Sequence, residues 1–475
     1  MSAGQGWDGT SVSAITTGPE PAADAAPGRR LLAPLALTQF VASFAGSNMN
    51  VSINSIAKDL GTDVHGVQTA ITLFLLTMAA LMIPGSKLTD RWGRKRCLLA
   101  GLTVYGSGAV IGALAGGLGV LIVGYSAFEG IGSALMIPPI YILATLYYPD
   151  VQSRARAFGV ISGMGGIGAA AGPLIGGLIT TAISWRVSFL LQAAIVATII
   201  VLSLKMKDPL PAVPTRRFDV VGAVLSAAGM IFLVLGILQF GVNTTLVVVF
   251  LALGVLLQLG FFLYVRREER AGKEPLLSTS LFKLKVSNLA MVTQNIQWLL
   301  LMGSTFVVSV FLQVVKGYSA IKTGVVFSAA TAGILIASLA QQRLAQRRSQ
   351  RALIRAGFVL TLIGIGLLLG LYKITSSVWV FAPGLLTMGL GVGLMLTPSV
   401  NIVQSAFPEE KQGEISGLSR AVSNLGSSMG TAIAGTIVVA SAAVGNNSYA
   451  AAMIVLGGIG LVGLVVAVLI PPVPR

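Results

Sequence analysis

Residues 156–181 read RAFGVISGMGGIGAAAGPLIGGLITT, and between Arg156 and Thr181 no charge interrupts them. An α-helix needs about twenty apolar residues to cross a hydrocarbon core of roughly 30 Å. The stretch therefore predicts a membrane-spanning helix. Its glycines Gly168, Gly172, Gly176 and Gly177 flank Pro173. Glycine lets a neighbouring helix approach closely, and proline removes one backbone hydrogen bond. The pattern fits either a seam where helices bend and slide or plain tight packing.

Similar runs recur on both sides. The 475 residues are 55% hydrophobic and only 10% charged, with mean hydropathy +0.86. Soluble proteins carry roughly a quarter charged residues, so a soluble fold is excluded. Spans are expected near 31–55, 67–86, 97–116, 119–146, 156–181 and 186–205, then near 219–240 and 245–265. Six more follow near 288–315, 322–342, 352–373, 378–404, 415–441 and 448–470. The expected fold is an all-α polytopic membrane protein of fourteen spans. Residues 1–30 form a disordered tail without a cleaved signal, 31–210 and 287–475 two six-helix bundles, and 211–286 two additional spans with their linkers.

Lys and Arg near a membrane collect on its cytoplasmic side. With the N-terminus inside, 27 of the 32 basic residues fall in cytoplasmic segments, and only Lys58, Arg186, Lys316, Lys322 and Lys373 fall outside. Both termini are then cytoplasmic, which requires an even number of spans, and the expected location is the inner membrane. This placement also accounts for the net charge of +16 without nucleic acid as partner. Two echoes suggest duplication of the six-span unit. KLTDRWGRKRCLLAG from Lys87 aligns with RLAQRRSQRALIRAG from Arg343, and GIGSALMIP from Gly130 resembles GVGLMLTP from Gly391. Such repeats place transport sites near the bilayer midplane.

Of sixteen acidic residues only Glu129 lies deep in a span. An ionisable group at that depth is costly and marks a functional site by default. It is expected to take up and release a proton as a cavity alternates between the two sides, or else to stay neutral and bond a neighbouring helix. Span one carries a polar face with Gln39, Ser43, Ser47, Asn50 and Asn54, which in lipid must look inward. Gln294, Gln297 and Trp298 in span nine, Asn401 and Gln404 in span twelve, and Arg420 in span thirteen extend the set. They would line a central cavity or hydrogen-bond helix to helix. The lone Cys97 and the lone His65 build no disulfide and no histidine metal cluster. No phosphate loop or catalytic constellation is present, so neither an enzyme nor an ATP-driven pump is expected, and no cofactor.

KLTDRWGRKR, GxxxGPxxGG from Gly168, SWRVSF from Ser184, RFDVVGA from Arg217, PLLSTSLFK from Pro275 and FLQVVKGYS from Phe311 together resemble the major facilitator superfamily. Within it, they resemble the fourteen-span drug:proton antiporter branch, over nearly the whole chain. The resemblance implies a secondary transporter, monomeric and embedded in lipid, that exports a small hydrophobic or amphiphilic solute by alternating access, driven by the proton gradient. It implies that Asp90 holds a cytoplasmic gate with Arg91, Arg94 and Arg154, unless these arginines only orient the loop. Three positions depart from the branch. Its span-one aspartate falls on Ala45, its span-four arginine on Ser126, and its span-four glutamine on Glu129. The acidic charge has then either moved to Glu129, or transport of a metabolite, organic acid or lipid proceeds without protons.

Overall fold

A computed structural model describes residues 29–148, 151–208, 218–240, 242–371, 377–408, 411–440 and 445–472. The expected tail falls almost wholly outside these. Among the described residues fourteen long helices form, beginning with α1 (Arg29–Val51), α2 (Val64–Trp92), α3 (Arg94–Ala113) and α4 (Leu118–Tyr147). They continue with α5 (Val151–Ala182), α6 (Trp185–Leu204), α7 (Val220–Leu238), α8 (Thr244–Arg270) and α9 (Lys285–Val315). The last are α10 (Ala320–Arg347), α11 (Gln350–Leu371), α12 (Ala382–Ser405), α13 (Gln412–Ala440) and α14 (Asn446–Leu469). Among the described residues no strand forms. Twelve of the helices are long and apolar enough to cross a membrane. The other two are of spanning length but more polar: α1 carries the polar face noted above, and α13 carries Ser416, Ser419, Ser423 and Ser427 beside Arg420.

Short polar residues start several helices by accepting an amide hydrogen bond. Asp63 accepts from Gly66 at 2.8 Å, Asp219 from Gly222 at 2.8 Å and Asn243 from Leu246 at 3.1 Å. The DRWGRKR segment, read from sequence as a loop, is helical on both sides. Only Gly93 separates α2 from α3, at φ +93°, which a residue with a Cβ rarely adopts. Arg154 likewise belongs to α5 rather than to a loop.

The packing partners of the first six helices recur in the last six with a shift of eight in helix number. α1 packs on α5 as α9 on α13, α3 on α4 as α11 on α12, α2 on α4 as α10 on α12, and α3 on α6 as α11 on α14. Both sequence echoes meet at these crossings. A Cβ on Gly132 would lie 2.7 Å from the Gly101 carbonyl, and one on Gly391 2.5 Å from that of Gly357. About two turns further on, Gly108 abuts Gly124 as Gly364 abuts Gly384. The chain needs eight residues from Gly124 to Gly132 but seven from Gly384 to Gly391. The extra residue is absorbed as π-helix, Ile122–Glu129, and such bulges gather at functional sites.

The two sets of six meet along α2–α13 and α5–α10. α7 packs on α8 and covers the α2–α13 seam, where Val234 and Leu238 join Leu76 and Ala432. α8 lies outermost, with Val248, Leu256 and Leu263 exposed as on a lipid-facing helix.

Candidate transport site

Glu129 ends the π-helical segment of α4 and is fully buried. It is turned into the interior of the first six helices, where the hydroxyls of Tyr105 and Tyr125 face it. Among the described residues no donor completes a hydrogen bond of regular geometry to either carboxyl oxygen, the Tyr105 hydroxyl standing beside them. Tyr105 gives its proton to Gln192 Oε1 at 2.5 Å, and Tyr125 reaches the Ala45 carbonyl at 3.4 Å. Ser126 donates to the Ala70 carbonyl at 2.7 Å. The three departures from the branch pattern are thus all buried: Ala45 meets the Tyr125 hydroxyl through its carbonyl, Ser126 is turned to α2, and Glu129 faces Tyr105 and Tyr125. In the last six helices the amide of Met388 lies against Gly364 as that of Glu129 lies against Gly108, and Met388 is equally buried.

The GxxxGPxxGG glycines face two neighbours. Cβ atoms on Gly168, Gly172 and Gly176 would meet the Phe40 carbonyl at 2.3 Å, Ser47 Oγ at 1.9 Å and Asn48 Oδ1 at 1.7 Å, all on α1. Gly177 instead abuts the Ala320 carbonyl on α10, and Gly324 abuts that of Pro173. α5 is thus pressed between its own half and the other.

The end of the bundle where Asp59, Ala115 and Arg186 meet is closed by bonds across the seam. Gln313 donates to the Asn50 carbonyl at 2.9 Å and accepts from the Asn54 amide at 3.3 Å, and Ser309 Oγ also donates to the Asn50 carbonyl. Gln68 donates to the Ala432 carbonyl at 3.2 Å, and Ser428 to that of Thr72 at 3.0 Å. Asn50 and Asn54 therefore serve this seam through their backbone groups.

The basic segments gather at the opposite end. There Lys87 on α2 pairs with Glu414 on α13, and Lys95 donates to the Leu204 carbonyl at 2.7 Å. The 275–283 segment docks here. Leu276 donates its amide to Asp219 at 2.9 Å and Thr279 to Glu269 at 2.8 Å, while Leu277 and Leu281 are buried. Arg91 is exposed and lines a cavity of about 20 Å³ with Lys87, Phe218, Asp219, Glu274 and Leu276, whereas Arg94 is buried. The side chains of Asp90 and Arg154 lie outside the described residues.

The remaining polar positions separate by partner. Gln294 donates to Ser423 at 2.8 Å and accepts from Ser419 at 3.0 Å, and Gln297 accepts from Ser399 at 3.3 Å. These buried amides tie α9 to α12 and α13, which is the helix-to-helix reading. Ser47 bonds its own helix, Trp298 is half-buried, Asn401 is exposed, and Gln404 donates to Ser416 at 3.4 Å. Arg420 stacks over Tyr141 of α4, its carbon 4.7 Å from the ring centroid, and donates to the hydroxyl. Tyr105, Tyr125, Tyr141, Gln192, Gln313 and the Lys87–Glu414 pair were not singled out from sequence. Isolated tyrosines and glutamines inside apolar runs were the available signal.

The Major Facilitator Superfamily profile matches residues 35–431. The chain is 28% identical over 395 residues to the multidrug resistance protein Stp of Mycobacterium tuberculosis, covering 82% of this chain and 72% of that protein. It is 29% identical over 419 residues to the multidrug efflux pump LfrA of Mycolicibacterium smegmatis, covering 86% and 80%. To the cephamycin export protein CmcT of Amycolatopsis lactamdurans it is 30% identical over 458 residues, covering 92% and 90%. Among solved structures, a POT family transporter in complex with a thioalcohol conjugated peptide shares the fold, with TM-score 0.69, 17% identity, and 93% and 97% of the two chains covered.

Proposed function

The chain belongs to the major facilitator superfamily, and we propose that it exports a small amphiphilic, drug-like solute by alternating access in exchange for protons. Its relatives are transporters named for drug or antibiotic resistance and export. We read α1 and α13 as spans whose polar faces look inward, which makes fourteen. Residues 31–210 and 287–475 are then the two moving bundles, and 211–286 a peripheral pair. The basic end and both termini face the cytoplasm, in the inner membrane of the cell.

One observation supports Glu129 as the proton carrier. Packing at this crossing is satisfied by a methionine in the other half, so the carboxyl is not there to fill space. In the proposed cycle this carboxyl carries a proton while sealed from water, where an unpaired charge is costly, and releases it when α3 and α4 part enough to admit water. In this scheme Asp90, with Arg91, Arg94 and Arg154, latches the cytoplasmic end beside Lys87–Glu414.

Inside-out vesicles carrying the protein, energised by a proton gradient, should accumulate members of a panel of fluorescent cationic, neutral and anionic drugs, and an uncoupler should abolish the accumulation. Equilibrative flux indifferent to the uncoupler would instead assign facilitated movement of a metabolite, organic acid or lipid. No flux of any compound would remove the transport reading.

A further inference from the structure

We propose that Arg420, Tyr141 and Gln39 form a recognition site for an anionic group, a carboxylate in the simplest case, on the transported solute. The proposal rests on the transport reading above and names its substrate class. Arg420 stands eight residues into α13, about 12 Å from the helix start at 1.5 Å per residue. Arginine is the side chain that brings a delocalised positive charge. A fixed charge at such depth is costly unless paired. No carboxylate among the described residues lies within ion-pair distance of it; Glu414 is committed to Lys87 and to the Ser278 amide, and Glu129 points into the interior of the first six helices.

The group is nevertheless held in place. The Tyr141 ring lies under the guanidinium and its hydroxyl accepts one N–H. That hydroxyl donates to Gln39 Oε1 at 3.2 Å, and Gln39 donates to Ser43 at 3.2 Å on α1. A Cβ on Gly165 would lie 3.0 Å from Gln39 Cγ, so α5 backs the amide as well. Arginine presents five N–H donors in a planar fork. One is used by Tyr141, which leaves an edge able to grip a carboxylate with two parallel bonds. Arg420 is half-buried, so that edge is reachable. A mere latch between α13 and α4 would be served by a neutral amide without the cost of charge. With Ala45 in place of the branch's aspartate, the α1 face also lacks the anion that would favour a cationic guest.

The test uses the full protein in proteoliposomes, with naphthalene-2-carboxylate and naphthalene-2-carboxamide as competitors of a neutral fluorescent drug already shown to be exported. The wild type should be inhibited by the acid at roughly tenfold lower concentration than by the amide, tenfold being about 1.4 kcal/mol. Arg420→Gln should erase that preference, read as the ratio of the two inhibitory concentrations within that variant whatever its own export rate. Arg420→Lys should keep part of it, and Tyr141→Phe should reduce it. Equal inhibition by acid and amide in the wild type overturns the proposal, as does an undiminished preference in Arg420→Gln. Should Arg420→Gln fail to fold, the wild-type comparison and Tyr141→Phe decide alone. Export of the neutral drug by the wild type shows that the transporter reading stands whatever the anion result.

Discussion

Lys87 at the end of α2 and Glu414 at the start of α13 form an ion pair across the seam, and the same carboxylate accepts the Ser278 amide at 3.4 Å. One acid thus ties three segments: the first six helices, the last six, and the linker that follows the peripheral pair. The side chains are 19% and 24% exposed, so the coupling should be on the order of 1 kcal/mol. Lys87→Glu and Glu414→Lys should each lower the thermal midpoint in detergent, and the double swap should recover part of the loss. Strict additivity in that cycle would show that the pair contributes nothing.

Gly168 and Gly177 should fail in different ways. A Cβ on Gly168 meets the Phe40 backbone inside one half, whereas one on Gly177 meets the Ala320 backbone of the other half. Backbone cannot swing aside as a side chain can. Gly168→Ala is expected to cost stability by roughly 1–3 kcal/mol, as overpacking does. Gly177→Ala should alter transport rate more than the thermal midpoint. Gly163→Ala, with open space around it, is the neutral control.

Gln313 seals the end opposite the basic one by serving both Asn50 and Asn54. Gln313→Leu keeps the size but leaves the Asn54 backbone amide without this partner and the Asn50 carbonyl to Ser309, a cost of about 1–3 kcal/mol if the amide stays buried. In that variant a thiol placed by Ser47→Cys should react several times faster with a membrane-impermeant reagent added from that side. The native Cys97 is buried and contributes little background. Unchanged labelling would mean the seal lies elsewhere.

Asp59 binds the Arg186 guanidinium, and this contact, aided by the Trp185 indole N–H at 3.0 Å, holds its carboxyl below the usual carboxylate range. A depressed value in the fold stabilises at pH above the unfolded value near 3.9, and the contribution is lost as pH falls through the folded one. Acid should therefore destabilise the wild type more than Arg186→Gln below about pH 4. The pair is largely exposed, so salt should shrink the difference. Identical acid profiles for the two proteins would remove the pair from the stability account.

Much of the architecture was legible because lipid leaves so few choices. Apolar length marked helices, and the four-residue spacing of Gly168, Gly172 and Gly176 marked a face that the structure presses onto α1. The weak echoes at Lys87/Arg343 and Gly130/Gly391 proved informative because glycine crossings need few identities: Gly101 on Gly132 and Gly357 on Gly391 suffice. The polar set was harder to read. Gln294 and Arg420 look alike in sequence, as polar groups in apolar helices. Only spatial partners separate an amide spent on Ser419 and Ser423 from a guanidinium facing a tyrosine across the seam. The helical run through Arg91 and Arg94 was masked by its charge density, which reads as loop until Gly93 is seen to carry the whole turn.

Glu129 against Met388 is the asymmetry on which the proposed mechanism turns, and proton movement triggered by substrate is its direct measure. Proteoliposomes holding the wild type or Glu129→Gln, with a pH-sensitive dye trapped inside, should be given a compound the wild type exports. Coupled proton counterflow is expected in the wild type, and in Glu129→Gln solute movement that no longer carries protons or responds to a pH gradient. Proton counterflow surviving in Glu129→Gln would contradict it.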